Sequence, residues 1–222
     1  MDWLTKLFSQ ENKQKNEIPK PAAPTKSLTH KEFKNKYDNG EREFKNYRLV
    51  NIDLKKINLY GVSFENCTFQ QIDLRDVSLR DANLKQANFD GMKLKGIDLS
   101  NAALHQASFV ATDLRASNFA GATLTKVDFH YTNLYYACLR GSNLSEANLQ
   151  NAELTHANFK EANLSNANLN NSNLAWADFI RSNLCGANLL NTNSFDADFY
   201  NAEMHNCLMN KMSYTHKNFS KG

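Results

Sequence analysis

The chain has few of the residues that interrupt regular structure. Its 222 residues include only 8 glycines and 3 prolines, and the prolines (Pro19, Pro21 and Pro24) all lie near the N-terminus. Because proline lacks a backbone N–H donor, its absence after Pro24 indicates a long region of regular, hydrogen-bonded structure.

Long apolar runs are also missing. No stretch approaches the ~18 apolar residues of a membrane-spanning helix, and residues 1–10 lack the basic region and small-residue cleavage site of a secretory signal. The four cysteines show no C-x-x-C spacing. We therefore expect no transmembrane helix, and we expect free thiols in a reducing compartment, the cytoplasm.

The net charge is small and unevenly placed. It is +3 overall. Residues 1–40 contain eight Lys against five Asp or Glu, whereas residues 41–222 contain 18 basic and 18 acidic residues. The larger part of the chain is therefore neutral, which disfavours a general affinity for nucleic acid.

What the chain does have is a repeat of five residues. All 30 positions from Phe44 to Leu189 whose numbers end in 4 or 9 are Leu or Phe. The preceding residue is Asn or Asp at 21 of 30 positions from Asp53 to Asp198, and the residue before that is nearly always small or β-branched. The consensus is A-(N/D)-(L/F)-x-x.

A period of five fits neither an α-helix nor a continuous β-strand. Every fifth residue of a helix drifts by ~140° around the axis, and residues five apart on a strand point to opposite faces. The period fits a chain that turns a corner after each pentad and keeps one large residue inside. Because a single pentad cannot bury its Leu or Phe alone, pentads must stack on one another.

This pattern resembles the pentapeptide-repeat family, for example in residues 147–149 (Ala-Asn-Leu) and 157–159 (Ala-Asn-Phe). Residues 40–44 also resemble the segment that precedes the repeats in many cyanobacterial members. The resemblance covers about four fifths of the chain. It implies an all-β fold, a right-handed quadrilateral β-helix with four pentads in each coil.

Residues 44–219 would then form about nine coils, ~4.8 Å apart. Side chains twenty positions apart would form columns, and in two of these columns the aromatic rings are expected to stack in the core. One contains Leu49, Phe69, Phe89, Phe109, Phe129 and Leu149, and the opposite one ends with Phe159, Phe179, Phe199 and Phe219. After Leu189 the pattern loosens, so residues 207–222 are expected to be a frayed or capping last coil.

Two predicted segments begin the chain. Residues 1–10 form a short amphipathic segment, with Trp3, Leu4, Leu7 and Phe8 on one side of a helix. It is either a frayed terminus or a docking peptide for a partner protein or a membrane surface. Residues 11–27 are polar, contain the prolines and predict a flexible linker.

Residues 28–40 predict a capping helix just before the repeat domain of residues 41–222. Thr29 can be the N-cap and Glu32 can complete a capping box, with Leu28 and Phe33 at the hydrophobic-staple positions. We expect this helix to cover the open end of the stack.

No motif indicates catalysis. The sequence contains no phosphate-binding glycine loop, no HExxH and no G-x-S-x-G. His105 and His205 would share a column but lie ~24 Å apart, and the repeated Asn and Asp are expected to hydrogen-bond corner backbone groups. We therefore predict no enzyme activity, no catalytic residue, no cofactor and no metal.

The outward columns carry the remaining information. The two residues after each Leu or Phe point outward. Along one face, these outward residues are basic in the early coils and aromatic in the later ones. The candidate basic ladder is Lys55, Lys56, Arg75, Lys95 and Arg115, and the candidate partner-binding face is Tyr131, Tyr135, Tyr136, Trp176 and Phe195, near Ile180 and Leu190. The basic residues can be merely solvated, but clustered exposed aromatic residues are typical of interfaces.

Three functions follow from these patterns. The favoured one is a non-enzymatic interaction scaffold or regulatory module that binds another protein or a second copy of itself. The alternative is a DNA mimic that binds a type II topoisomerase (gyrase), which the resemblance to the quinolone-resistance branch of the family implies. Such mimicry needs a strongly negative surface, so the neutral repeat domain counts against it. Direct nucleic-acid binding through the basic ladder is the weakest of the three.

Overall fold

The computed structural model describes residues 23–74 and 77–210. Its regular elements are short and lie at the two ends of the repeat region. They are β1 (Lys26–Leu28), α1 (His30–Asp38), β2 (Tyr47–Val50), β3 (Thr68–Gln70), β4 (Asn188–Leu189) and β5 (Leu208–Met209). The predicted segment of residues 1–10 and the last residues, 211–222, lie outside the described part of the chain.

The repeats stack as layers of twenty residues. Strands β1, β2 and β3 form a parallel sheet in that order, and β4 pairs in parallel with β5. Between these strands, single-residue parallel bridges join positions twenty apart, as in the series Asn83, Ala103 and Thr123. Four pentads therefore make one layer, as the family resemblance implies.

The pentad of residues 118–122 uses all its backbone N–H groups. In residues 118–122, the N–H of Asn118 donates to a carbonyl of the previous layer at 2.9 Å, and those of Phe119 and Gly121 donate to carbonyls of the next layer at 2.7 and 3.0 Å. The N–H of Ala122 closes the corner onto the carbonyl of Phe119 at 3.0 Å. The remaining N–H, of Ala120, donates to the side-chain Oδ1 of Asn118 at 3.1 Å. The Asn or Asp of the consensus is thus required by the backbone.

A break in the consensus shows the same requirement. Ser108 stands where Asn or Asp is usual, two residues before Val110. The N–H of Val110 instead donates to Oδ1 of Asp90, which lies in the previous layer, at 2.9 Å. The carboxylate of Asp90, twenty residues before Val110 in the same column, therefore replaces the missing side-chain acceptor.

The corners have a left-handed residue. In the described chain, 26 non-glycine residues, all two positions after an inward residue, have φ between 51° and 62°. Where the third residue of a hydrogen-bonded corner is described, it therefore has a positive φ, the arrangement of a type II turn. The sequence pattern alone could not distinguish this turn type.

The core contains the two predicted columns of stacked phenylalanine rings. Phe69, Phe89 and Phe109 stack with ring centroids 4.6 and 4.8 Å apart, and Phe129 continues the column at 5.2 Å. In the opposite column, Phe159, Phe179 and Phe199 stack at 4.8 and 4.9 Å with nearly parallel planes. Phe119 meets the first column edge-on. Phe219 lies outside the described residues.

The N-terminal end of the stack is covered by α1. Thr29 is the N-cap and forms a complete capping box with Glu32, as predicted. Phe33 is fully buried and lies 4.7 Å from the ring of Phe44, and the hydroxyl of Tyr37 donates to the carbonyl of Asn58 at 2.6 Å. The helix thus closes the apolar end of the first layers.

One part of the predicted N-terminal linker is wrong. Lys26 and Ser27 were expected in the flexible segment of residues 11–27, but with Leu28 they form β1, which pairs with β2 in parallel. The first layer would otherwise leave the backbone groups of β2 unpaired, and an open strand edge favours the addition of another strand.

The C-terminal layers are less well filled. Ser194, Met204 and Met209 replace the inward Leu or Phe, and all three are only half-buried. Leu208 is 55% exposed. The loosening predicted after Leu189 is therefore visible within the described chain. No helix in residues 23–74 and 77–210 is long and apolar enough to cross a membrane.

Removing one ring from a core phenylalanine column should destabilise the fold substantially. We expect Phe109→Ala to lower the free energy of unfolding by about 3–5 kcal/mol, because the ring is fully buried and stacked on both sides. Urea unfolding followed by circular dichroism measures this loss. Tyr60→Ala, which removes a ring that is 62% exposed, should change stability by less than about 0.5 kcal/mol. Equal losses in both variants would contradict this account of the core.

Candidate protein-binding face

The polar side chains of the repeat are used to hold the backbone. Besides Asn118, the oxygens of Asn143, Asn158, Asn163 and Asp178 each accept the N–H two residues on, at 3.0–3.1 Å. Within residues 23–74 and 77–210, no three His, Cys, Asp or Glu side chains could hold a metal ion together.

The buried cysteine is not arranged as a nucleophile. The thiol of Cys67 lies 2.7 Å from the carbonyl of Phe44, to which it donates. Burial raises the pKa of Cys67 to about 12. Because the thiolate is the reactive form, this side chain is unreactive at neutral pH.

The predicted basic ladder is partly neutralised by neighbouring carboxylates. Lys55 lies 3.0 Å from Asp73. Arg115 makes a two-point contact with Asp113, at 2.7 Å through Nε and 2.6 Å through Nη2, and this bond holds the pKa of the Asp113 carboxyl below its usual value. Lys56 and Lys95 are exposed, and Arg75 lies outside the described residues.

Most of the predicted aromatic face forms one cluster, which we call the aromatic ladder: Tyr135, Tyr136, His156, Trp176 and Phe195. The ring of His156 stacks between Tyr136, at 4.5 Å and 10°, and Trp176, at 5.2 Å and 14°. Tyr135 packs edge-on against Tyr136 at 4.5 Å, and Phe195 packs edge-on against Trp176 at 5.4 Å. The cluster spans four successive layers.

The aromatic ladder stays open to solvent despite this stacking. Tyr136 is 55% exposed, Trp176 48% and Phe195 50%. With Tyr135, they account for four of the seven exposed large hydrophobic residues in the described chain, and all four share one corner of the stack. A contiguous exposed cluster of this kind marks an interaction site more often than scattered apolar residues do.

The backbone under the ladder does not favour aromatic residues. Tyr136, His156 and Trp176 have φ of 57°, 59° and 55°, a left-handed region that suits Gly and Asn and disfavours bulky residues. Half of all described corners carry Asn or Gly. Three successive aromatic rings at such positions therefore oppose the local backbone preference.

Sequence reasoning missed His156. The six histidines look scattered along the chain, and none was assigned to the aromatic face. His156 nevertheless stands twenty positions after Tyr136 and twenty before Trp176. The column rule that grouped the tyrosines and Trp176 would have included it.

Tyr131 is separate from the ladder, which corrects its grouping with the other four aromatic residues. It lies at the neighbouring corner, half-buried, with its ring edge-on to His130 at 5.1 Å. Between this corner and that of Arg115 runs a groove of about 560 Å³. We call it the polar groove, and its lining includes Arg115, Tyr131, Asn133, Glu153 and Asn173. The candidate docking residues Trp3, Leu4, Leu7 and Phe8 lie outside the described part of the chain.

Comparison with protein families identifies the repeat. A model described as pentapeptide repeat region matches residues 42–119 and 62–139. A second, described as pentapeptide repeats (8 copies), matches residues 142–179 and 177–211. The matches together cover almost all of the stacked layers. No curated protein sequence matches the chain.

Solved structures include one with the same fold. Full-length QnrB1, a plasmid-mediated fluoroquinolone resistance protein, aligns with a TM-score of 0.61 and 18% identity over 84% of this chain and 90% of that one. HetL from the cyanobacterium Nostoc, involved in heterocyst differentiation regulation, aligns with a TM-score of 0.43 and 22% identity over 85% and 100%. At these identities the likeness to QnrB1 speaks for the fold alone.

Substitution of Trp176 tests whether the aromatic ladder contributes to the stability of the fold. We expect Trp176→Asn to change the free energy of unfolding by less than about 1 kcal/mol, because lost stacking is offset by a residue that tolerates the left-handed corner. Urea unfolding measures the change. Phe179→Ala, a buried ring three residues away, should cost about 3–5 kcal/mol. A comparable loss for Trp176→Asn would show that the ladder serves stability.

Proposed function

Because this chain belongs to the pentapeptide-repeat family, we propose that it is a non-enzymatic interaction scaffold that presents the aromatic ladder to a partner protein. The observation that carries the proposal is the run of three stacked rings at left-handed corners, of which Tyr136 and Trp176 are exposed and His156 is half-buried. The backbone disfavours aromatic residues there, so their presence needs another reason, and partner binding supplies one.

We also propose the handedness and the number of coils of the stack. Family members form right-handed β-helices, and we propose that this stack closes as a right-handed quadrilateral of about nine coils. The four free cysteines, one of them buried, support a reducing compartment, for which we propose the cytoplasm.

A stacked rod suits recognition because it is already ordered. The backbone groups of each layer are held by the layers on either side, so the ladder residues keep their relative positions before a partner arrives. Association then loses little conformational freedom on this side of the interface. Rings that are rigid and half-exposed contribute strongly to protein interfaces.

The partner-binding role is tested by removing two rings of the ladder. We expect the double variant Tyr136→Asn, Trp176→Asn to fold normally and to recover at least about tenfold less partner, equivalent to a loss of about 1.4 kcal/mol. Affinity purification from the native host measures recovery, and light scattering after gel filtration detects a second copy of the chain as the partner.

Tyr60→Asn is the matched control, since Tyr60 is also an exposed tyrosine but lies at a different corner of the stack. It should recover the partner at the level of the unaltered chain. If the double variant also keeps both its partners and its oligomeric state, the ladder is not the binding face.

The DNA-mimic alternative predicts a different result. The repeat domain has 18 basic and 18 acidic residues, so its field does not resemble that of a DNA duplex. We expect gyrase to supercoil plasmid DNA equally well with and without an equimolar amount of this protein. Inhibition of supercoiling by the protein, at a level that survives the ladder substitutions, would favour the alternative.

A further inference from the structure

We propose that the polar groove beside the aromatic ladder binds an arginine side chain of the partner protein, with Glu153 as its counter-ion. The inference rests on the proposed function, since it names the chemistry that the partner would bring to the same face. It concerns a subsite that neither the family resemblance nor the aromatic cluster assigns.

The stacking places the required groups together. Asn133 and Glu153 are bridged partners in adjacent layers, so they lie about 4.8 Å apart at the backbone. Tyr131 and Tyr135 stand two residues to either side of Asn133, at two successive corners of one layer. A carboxylate, an amide and an aromatic wall therefore meet in the groove of about 560 Å³.

Glu153 supplies the net charge of this groove. Its Oε1 accepts the N–H of Thr155 at 2.9 Å, and its Oε2 accepts from the amide of Asn173 at 3.0 Å. In the described part of the chain no Lys or Arg nitrogen forms an ion pair with Glu153. The other carboxylate of the groove, Asp113, is already neutralised by Arg115. The groove thus presents one uncompensated, half-buried negative charge.

The field of Glu153 reaches the aromatic ladder. Burial is the main cause that raises the pKa of Tyr135, followed by the neighbouring Tyr136 and then by the negative charge of Glu153. The carboxylate and the phenol are therefore close enough to interact electrostatically. A cation bound at Glu153 would lie at the edge of the proposed partner-binding face.

Guanidinium fits this site better than an ammonium group. It is planar, it donates hydrogen bonds in a fork that matches a carboxylate, and it stacks on aromatic rings. The groove offers both a carboxylate and the ring of Tyr131. A lysine would use the charge but not the planar wall.

The test uses the full chain labelled with ¹⁵N and titrated with N-acetyl-arginine amide. We expect saturable, millimolar binding that shifts the amide signal of Thr155, whose N–H donates to Glu153. The citrulline analogue has the same shape without the charge and should cause no saturable shift. Equal shifts with citrulline would overturn the proposal, and equal affinity for the lysine amide would overturn the assignment to arginine.

Substitution of the carboxylate completes the test. Glu153→Gln keeps an oxygen for the N–H of Thr155, and it should weaken arginine-amide binding by about fivefold, the effect of a partly exposed ion pair. Glu161→Gln, a carboxylate at another corner that pairs with Arg140, should leave binding unchanged. Unchanged binding in Glu153→Gln would overturn the proposal.

The titration and the partner experiment can fail separately. Arginine amide needs no partner protein, so loss of its binding leaves the result of the Tyr136 and Trp176 substitutions unaffected. Conversely, a partner that still binds the ladder variants would refute the scaffold face while the arginine site stood. A second copy of this chain is a source of basic side chains, and concentration-dependent self-association lost in Glu153→Gln would support the site with that occupant.

Discussion

The structure depends on one hydrogen bond that recurs in most pentads, from the backbone N–H after the inward Leu or Phe to the Asn or Asp oxygen before it. Four of the five N–H groups in a pentad find backbone carbonyls in the same corner or in adjacent layers, and this side chain satisfies the fifth. Where Asn or Asp occupies this position, its oxygen avoids the penalty of about 1–3 kcal/mol for a buried donor without a partner. These side chains are therefore used to hold the backbone of the stack.

Stacking in turn decides which side chains can act together. Residues far apart in sequence but separated by multiples of twenty become neighbours, which is why Tyr136, His156 and Trp176 form one stack. The interior accepts only a narrow range of residues, while the corners accept almost any side chain that tolerates a positive φ. Side-chain variety is therefore concentrated in the corner columns and in the grooves between them.

Most of the fold could be predicted from the sequence, because the inward position repeats without interruption from Phe44 to Leu189. The Thr29–Glu32 capping box follows from spacing alone, and the two phenylalanine columns follow once the family resemblance supplies four pentads per layer. The pairing of β1 could not be predicted, since it depends on an open strand edge that exists only after the first layer has formed. The ion pair of Arg115 with Asp113 and the isolation of Glu153 depend on side-chain geometry, which a residue pattern does not contain.

The repeat unit has five residues, whereas a layer has twenty. This difference has a consequence for insertions and deletions in such a chain. Insertion or deletion of one whole pentad keeps every Leu and Phe inside, so the core and its hydrogen bonds survive. It also rotates everything beyond that point by a quarter turn around the axis. A pentad gained between Tyr136 and Trp176 would leave a well-folded rod whose two halves of the aromatic ladder face different directions, so this architecture can lose its recognition surface without losing its fold.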